Sequence, residues 1–275
     1  MNPKLSDRVN EMATSATLAM AAKARSLKEE GVSIIGLSLG EPDFTVPEFV
    51  KEAAIKAIED DYHAYSPVDG YAELKKAIAL KFKRDNNLSY ALVQIVVSTG
   101  AKQSLANLAQ VLLNPGDEVI VTNQDHEANI SPWTRLKKNG VNIIEWKFNL
   151  NDHELKISDL EKLISSKTKI IAVTHCSNIV GSVNDLKQIA DLSHAVGALI
   201  IGDGVSFAPH GFPDVKAIDV DFYTFSLYKT YGPHLALLYG KKNVLKKLPN
   251  QNHEFLEGQF PYTINPGGPN HEELV

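Results

Sequence analysis

Lys229 stands where a lysine could act as a nucleophile. It lies in the segment FYTFSLYKTYGP, residues 222–233, just after an apolar run that ends at Phe225, and Ser226 and Tyr228 flank it. Desolvation next to a buried strand favours the neutral amine, which can form a Schiff base with a carbonyl compound. Taken alone, the segment is more typical of a surface lysine at the end of a strand.

An acid and a helix start form two further candidate features. Asp203 ends the apolar run of IIGDGVSFAPH, where its carboxylate could pair with a protonated pyridine nitrogen, cap a helix or bind a metal. In VVSTGAKQSLANL, residues 96–108, an apolar run leads through Gly100, Ala101 and Lys102 into a helical pattern. Free N–H groups at a helix start suit a phosphate, although this spacing is not that of a Walker loop.

Two polar side chains follow other apolar runs. Asn178 lies in THCSNIVG, where its amide could hydrogen-bond a phenolic oxygen or simply form a turn. His126 lies in NQDHEAN, where its ring could stack on a planar ligand or remain a surface histidine. His126 could also bind a metal with Asp125 and Glu127, but consecutive loop residues do not form a convergent ligand set, so we predict no metal site here.

The elements that must position these residues alternate from about residue 90 onward. Unbroken apolar runs predict strands buried on both faces of a mostly parallel sheet, and therefore an α/β fold. The predicted strands are Gln94–Ser98, Glu118–Thr122, Asn142–Trp146, Lys169–Thr174, Ala198–Gly202, Phe222–Phe225 and Leu235–Tyr239. The predicted helices are Pro47–Asp60, Ala72–Arg84, Ala101–Leu113, Ile130–Lys138, Ile157–Ile164, Asn184–Val196 and Asn243–Lys247.

Composition narrows the class of protein. The 275 residues are 44% apolar and carry a net charge of −5, which fits a globular protein and argues against nucleic acid as a partner. One cysteine cannot form an internal disulfide, so we expect a reducing, cytoplasmic compartment. No apolar run is long enough for a membrane span, and the N-terminus does not resemble a secretory signal, so no membrane partner is expected.

The candidate residues indicate a ligand-binding site more strongly when they are considered together. Each follows a predicted strand, and open α/β sheets bind ligands at the carboxyl ends of their strands. An anion site, a ring platform, an acid and an imine-forming lysine are what pyridoxal 5′-phosphate (PLP) requires. We therefore predict PLP as the cofactor.

The sequence resembles the fold-type I PLP-dependent enzymes, in two branches. Residues 1–120 resemble the aspartate aminotransferase family in LSLGEPDFTVPEFVKEAA, HAYSPVDGYAELKKAIA and VSTGAKQSLANLAQVLLNPGDEVI. Residues 115–275 resemble the class V aminotransferases, and in particular the cysteine-desulfurase-like members, in VTNQDHEANISPW, AVTHCSNIVGSVND, DGVSFAPHGFPDVKAIDVDFYTFSLYKTYGPHLALLYGKK and INPGGPNHEE. The two halves join near residues 115–122.

This resemblance implies a seven-stranded, mostly parallel sheet flanked by helices, in a PLP-binding domain that spans residues 46–275. Residues 1–45 would form an N-terminal arm and a segment of the small domain. Members of both branches are longer than this chain, so the C-terminal small domain is expected to be absent. The arginine that grips the substrate carboxylate would be lost with it.

The resemblance also implies roles for single residues. Lys229 would carry the cofactor, Asp203 would keep the pyridine nitrogen protonated and His126 would stack on the ring. The remaining cofactor contacts would come from Gly100, Ala101, Lys102, Asn178, Ser206, Ser226 and Tyr228. In desulfurases a glutamine usually stands at the position of Ser206, which has a shorter side chain.

The resemblance also implies residues that contact the substrate or the partner subunit. Gly40 and Asn178 would lie beside the substrate, and Tyr65 would reach the phosphate in the partner subunit of a homodimer. The loop at Gly267-Gly268 resembles one that also approaches the partner's cofactor.

The activity implied is transfer of an amino group between an amino acid and a keto acid. One alternative is a cysteine-desulfurase-like lyase, which the class V half supports. Cys176, which the pattern predicts as a small core residue, is not at the position of the desulfurase persulfide cysteine. The other alternative is a truncated or hybrid chain that binds PLP without turnover.

Overall fold

The computed structural model describes residues 16–37, 40, 42, 44–62, 64–251, 253–259 and 262–265. The chain divides into two compact units, Met1–Asp43 and Phe44–Val275, and the first contains helix α1 (Ala16–Glu29). Within the described ranges, no helix has the length and apolar character needed to cross a bilayer. The domain roles expected for residues 1–45 and 46–275 stay predictions.

The second unit is built on one seven-stranded sheet. Its strands are β1 (Ile95–Ser98), β2 (Glu118–Thr122), β3 (Asn142–Trp146), β4 (Thr168–Thr174), β5 (Leu199–Asp203), β6 (Phe222–Ser226) and β7 (Ala236–Gly240). The spatial order is β1-β7-β6-β5-β4-β2-β3, and β7 is antiparallel to both of its neighbours. All other pairs are parallel, so six strands share one direction. The predicted mostly parallel sheet is confirmed.

Helices connect the strands and cover both faces of the sheet. They are α2 (Glu48–Glu59), α3 (Ala72–Asn86), α4 (Ala101–Leu112), α5 (Ser131–Thr134), α6 (Ile157–Leu163), α7 (Leu186–Ala195) and α8 (Lys242–Leu245). The helix predicted over Ile130–Lys138 is wrong in form. Only one α-turn forms there, and the chain continues as a 3₁₀ segment, Arg135–Asn139, which Gly140 ends with a φ of +85°.

The core consists of two apolar layers, one on each face of the sheet. Alternate residues of a strand point to opposite faces, so Val96 packs in one layer while its neighbours Ile95 and Val97 pack in the other. Helix α4 packs on the Val96 side through Leu105 and Leu108. Both faces are therefore buried, which explains why the strand sequences do not alternate between apolar and polar residues.

Candidate active site

A cavity lies at the carboxyl ends of the parallel strands, and we call it the strand-end cavity. It contains about 460 Å³ of atom-free space, part of it open to solvent, which falls in the range of small-molecule sites. Nine of its twelve lining residues are ones that the sequence pattern singled out: Ala101, Lys102, His126, Asn178, Asp203, Ser206, Ser226, Tyr228 and Lys229. The other three are Ala128, Thr174 and Val205.

Asp203 is the buried acid of this cavity. It ends β5, is 4% exposed, and accepts a hydrogen bond from the Val205 N–H through Oδ1 (2.9 Å). Burial raises the pKa of Asp203 to about 6, while the Val205 N–H and the cations of Lys229 and Lys102 oppose that rise. A cationic ligand beside this carboxylate would therefore strengthen its ionised form.

Lys229 lies in a short 3₁₀ segment, Leu227–Thr230, between β6 and β7. The segment is tied back on itself, because the Leu227 N–H donates to Leu235 O (2.8 Å) and the Gly232 N–H donates to Leu227 O (2.9 Å). Lys229 is half-buried rather than fully desolvated. Its backbone lies at the cavity wall, and its long side chain can extend the amine into the cavity.

The start of α4 forms another wall. Gly100 is the N-cap, with an extended φ of −176° that any residue could adopt, and a Cβ placed there would meet no atom within 4 Å. The glycine therefore leaves open space in front of the first N–H groups of a twelve-residue helix. Ala101 is buried and Lys102 is exposed.

Ser226 adds an unpaired polar atom to the cavity. It is the last residue of β6, is 1% exposed, and its Oγ has no hydrogen-bond partner among the described residues. Buried hydroxyl groups are nearly always hydrogen-bonded to protein or water, so this atom is available to a ligand or a water molecule in the cavity. Tyr228 nearby stacks on His234 with ring centroids 4.4 Å apart.

His126 presents an exposed imidazole to the cavity. Its Nδ1 accepts a hydrogen bond from the Ala128 N–H (3.0 Å), which leaves the proton of the neutral ring on Nε2. Partial burial lowers the pKa of His126, and the cations of Lys102 and Lys229 lower it further. The ring is therefore neutral near pH 7.

Asn178 is exposed at the cavity rim, in a loop that Ser177 organises. The Ser177 Oγ accepts from the Ile179 and Val180 N–H groups (3.3 Å each) and donates to Gln124 O (3.0 Å). The single-sequence pattern did not reveal Ser177. It also missed Thr174, although that residue ends β4 at the cavity and the strand-end rule could have identified it.

Cys176 corrects one prediction. It is half-buried and not a core residue, and an isolated antiparallel bridge pairs it with Val183 where the loop folds back. Burial raises the pKa of the Cys176 thiol, which reduces its thiolate fraction. No group of three or more His, Cys, Asp or Glu side chains in the described ranges could hold a metal ion.

Three other predictions lie away from the cavity walls or outside the described residues. Tyr65 is fully exposed in the second unit. Gly40 belongs to the first unit and is exposed there. Gly267 and Gly268 lie outside the described residues.

Comparisons with known proteins agree with this geometry. The class-V aminotransferase family matches residues 86–255. An aspartate/prephenate aminotransferase of Nitrosomonas europaea is 39% identical over 226 residues, which cover 80% of this chain and 52% of that protein. The chain spans about half the length of the curated relatives it matches.

Solved structures give the same result. The aspartate aminotransferase of Thermus thermophilus with maleate has a TM-score of 0.73 and 30% identity, over 88% of this chain and 66% of that one. A cysteine desulfurase of Escherichia coli has a TM-score of 0.71 and 26% identity, over 83% and 62%. Because the family match extends over more than half of the sequence, the chain belongs to the class-V aminotransferases, with the fold of the type I PLP-dependent enzymes.

Proposed function

We propose that the protein binds PLP in the strand-end cavity and transfers an amino group between an amino acid and a keto acid. The observation that carries this proposal is that Lys229, Asp203 and His126 line the same cavity although they come from separate segments of the chain. The class-V and aspartate aminotransferase families are PLP-dependent, which supports the same cofactor here.

The residues present fit this cofactor. The unpartnered Ser226 Oγ and the open space at Gly100 suit a phosphate at the start of α4. The buried Asp203 carboxylate suits a protonated ring nitrogen, because an ion pair would offset the cost of its desolvation. Lys229 supplies a primary amine on the cavity wall.

At the phosphate end, the N–H groups of Ala101 and Lys102 would donate to the phosphate oxygens, with the helix dipole behind them. Ser226 Oγ and the Tyr228 side chain would complete the anion site. The Lys102 ammonium would add charge without blocking the cavity, because its side chain is exposed at the rim.

At the ring end, Asp203 would hold a proton on the pyridine nitrogen and the neutral His126 imidazole would stack on the ring. Asn178 and Ser206 would contact the ring hydroxyl. When bound, PLP supplies an electron-withdrawing ring that stabilises negative charge at the substrate Cα. Lys229 would then move a proton away from the substrate Cα as general base, from a backbone that stays fixed.

The remaining predictions belong to the assembled protein. Gly40 and Asn178 would lie beside the substrate, and the exposed ring of Tyr65 would be available to the partner subunit of a homodimer. Residues 46–275 would form the PLP-binding domain, with residues 1–45 as arm and small-domain segment. We place the protein in the cytoplasm, on the basis of its single cysteine.

Chemical trapping tests the proposal. Incubation with PLP followed by borohydride reduction should attach the cofactor to Lys229, and peptide mass spectrometry should locate it there. Lys102, which lines the same cavity, provides the matched control and should stay unlabelled in the wild type. Labelling spread over surface lysines, with no preference for Lys229, would contradict the proposal.

A cysteine-desulfurase-like lyase is the second candidate, because the fold similarity includes a cysteine desulfurase. The raised pKa of Cys176 argues against that thiol as the sulfur acceptor. Sulfide release from cysteine, compared between the wild type and Cys176→Ala, separates this candidate from amino transfer. PLP binding without a half-reaction on any amino acid would instead favour the third candidate, a chain that binds the cofactor without turnover.

A further inference from the structure

Tyr223 lies directly behind Asp203, and the proposed reaction gives it no role. It is the second residue of β6, is 2% exposed and does not line the strand-end cavity. It packs in the apolar layer that contains Ile200, whereas Ile201 packs in the layer on the other face of the sheet. Since alternate residues of a strand point to opposite faces, Asp203 points to the Ile201 side and Tyr223 lies on the reverse side.

Two glycines flank Asp203, and the ring of Tyr223 occupies the space that their side chains would need. Gly202 is paired in register with Tyr223, and a Cβ placed on Gly202 would lie 2.9 Å from Cδ2 of the ring. A Cβ on Gly204 would overlap Cε1, Cζ and Oη of the same ring. We call this space the glycine slot. Neither glycine has a φ in the left-handed region, so packing rather than backbone conformation requires glycine here.

The hydroxyl end of the ring is also held. Tyr223 Oη lies at hydrogen-bond distance from His175 Nδ1 (2.9 Å), and the His175 ring stacks on Phe207 with centroids 3.7 Å apart. The main-chain N–H of His175 donates to Asp203 O (2.8 Å). Burial raises the pKa of Tyr223 well above its ordinary value and lowers the pKa of His175 to about 4, so both groups are neutral near pH 7. They therefore act on Asp203 through packing and hydrogen bonds rather than through charge.

The turn against which Tyr223 packs supplies a hydrogen-bond donor to the Asp203 carboxylate. The Gly204 N–H donates to Thr224 O (2.8 Å), which ties the turn to β6. The Val205 N–H donates to Asp203 Oδ1 (2.9 Å). Displacement of Gly204 would therefore move the Val205 donor, and the carboxylate would move with it.

We propose that Tyr223 is a positioning residue for Asp203. Its ring fills the glycine slot and fixes the turn after β5, so that the carboxylate is held toward the strand-end cavity. The inference rests on the proposed function, in which Asp203 pairs with the protonated ring nitrogen of PLP. Without the ring, the empty slot would let the turn relax away from the cavity, and the ion pair with the nitrogen would weaken.

A pair of ligands tests the proposal, because only one of them has the ring nitrogen. The probes are PLP and 1-deaza-PLP, in which C–H replaces that nitrogen, and binding to the cofactor-free protein gives a Kd for each. Tyr223→Leu should weaken the binding of PLP at least about tenfold and leave the Kd for 1-deaza-PLP within about threefold of wild type. A purely structural role would weaken both ligands equally. That result, or unchanged binding of PLP, would overturn the proposal.

Tyr223→Phe is the matched control. It removes only the hydroxyl and keeps the ring in the slot, so the Kd for PLP should stay within about threefold of wild type. A loss of PLP affinity as large as that in Tyr223→Leu would overturn the role of the ring. If Tyr223→Leu does not fold, Tyr223→Met takes its place, because the flexible methionine side chain adapts to the remaining space.

A size exchange tests the glycine slot without PLP. Gly204→Ala should lower the urea midpoint of the cofactor-free protein, because its methyl group would overlap the Tyr223 ring. Tyr223→Leu removes Cε1, Cζ and Oη of the ring. In that background, Gly204→Ala should increase the equilibrium constant of unfolding by a factor at least about ten times smaller than in the wild type. If Gly204→Ala alone does not fold, folding of the double variant gives the same result.

Gly36→Ala is the control for this exchange. A Cβ at Gly36 meets no atom of the described residues within 4 Å, so its effect should be the same in the wild type and in Tyr223→Leu. Equal effects of Gly204→Ala in the two backgrounds would overturn the proposal. Failure of the wild type to bind PLP would overturn only the proposed function.

Discussion

The two ends of the sheet each carry a buried aspartate, and the two are built differently. Asp203 lies at the carboxyl end of β5 and is 4% exposed, whereas Asp221 directly precedes β6 at the opposite end and is 3% exposed. The Asp221 carboxylate is hydrogen-bonded to His194 Nε2 and to the Ile200 N–H (2.9 Å each), and Lys241 Nζ lies 3.2 Å away. Asp203 has one short side-chain contact of this kind, from the Val205 N–H.

Burial of an acid therefore does not by itself distinguish a functional site from a structural one. At the Asp221 end, a cation, an imidazole and a backbone N–H already satisfy the carboxylate. At the Asp203 end, one lining hydroxyl has no partner among the described residues, and Gly100, next to the lining residue Ala101, has open space within the described structure. The two ends of the sheet therefore differ in the number of groups that remain available to a ligand.

Removing the lysine at each end should give the largest contrast. Lys229→Ala should reduce the rate of the amino-transfer half-reaction by at least about a thousandfold, because the amine that carries the cofactor is lost. This corresponds to an increase of about 4 kcal/mol in the activation free energy. Its free energy of unfolding should change by less than about 0.5 kcal/mol. Single-turnover kinetics and urea unfolding measure the two effects.

Lys241→Ala is the matched control at the opposite end. Its half-reaction rate should stay within about twofold of wild type, while the unfolding free energy falls by about 1–2 kcal/mol because two carboxylates lose their cation. Equal loss of the half-reaction rate in Lys229→Ala and Lys241→Ala would contradict the claim that only the Asp203 end of the sheet is functional.

The pH dependence of stability should report the acid at the cavity. The raised pKa of Asp203, about 6 against the ordinary 3.8, means that the folded state binds the proton more tightly than the unfolded state does. The contribution of Asp203 to the free energy of unfolding is therefore fully present below pH 4 and falls by about 3 kcal/mol as the pH rises past 6. Urea unfolding of the cofactor-free wild type and Asp203→Asn, compared at each pH, should show this decline as a difference curve. A flat curve would contradict it.

Neutralising the two acids should affect the free energy of unfolding differently at pH 7. Asp221→Asn should lower the unfolding free energy by about 2 kcal/mol, because an amide cannot accept from all the donors that face it. Asp203→Asn should leave the free energy unchanged or raise it, since a buried charge is removed where few partners exist. Denaturant unfolding measures both. If Asp203→Asn lowered the free energy of unfolding as much as Asp221→Asn does, the two acids would not differ in how well their carboxylates are paired.

The smallest effect is expected at the start of α4. Gly100→Ala should change the unfolding free energy by less than about 1 kcal/mol, because the added methyl group meets no atom of the described residues within 4 Å. PLP affinity should fall about tenfold while affinity for pyridoxal, which lacks the phosphate, is retained. Gly36→Ala, also in open space, is the control and should change neither affinity. An equal loss for PLP and pyridoxal would exclude a phosphate role for this position.

Much of the fold could be predicted because local patterns determine it. Each strand boundary was predicted to within one residue, since unbroken Val and Ile runs between polar turns specify buried parallel strands. The strand-end rule then identified most cavity residues, because the carboxyl ends of parallel strands meet at one edge.

The remaining features depend on contacts between distant segments. The pattern treated Cys176 as a core residue, yet its exposure depends on how residues 177–183 fold back. The sequence gives no indication that Asp125 is buried, because its carboxylate accepts a hydrogen bond from the Thr174 N–H, 49 positions along the chain. Similarly, nothing local in FYTFS indicates that the Ser226 hydroxyl has no partner in the described part of the chain while the Thr224 hydroxyl donates to Leu237 O.

The tied connection between β6 and β7 has a consequence for how a substrate could be exchanged. The two ends of the connection are paired with each other in β6 and β7, and two backbone hydrogen bonds close it, so the structure places the backbone at position 229 in a tightly bonded loop. Attack, release and return of the amine would then be rotamer changes of four methylene groups. Such changes are fast and local, and they leave the surrounding fold undisturbed from one cycle to the next.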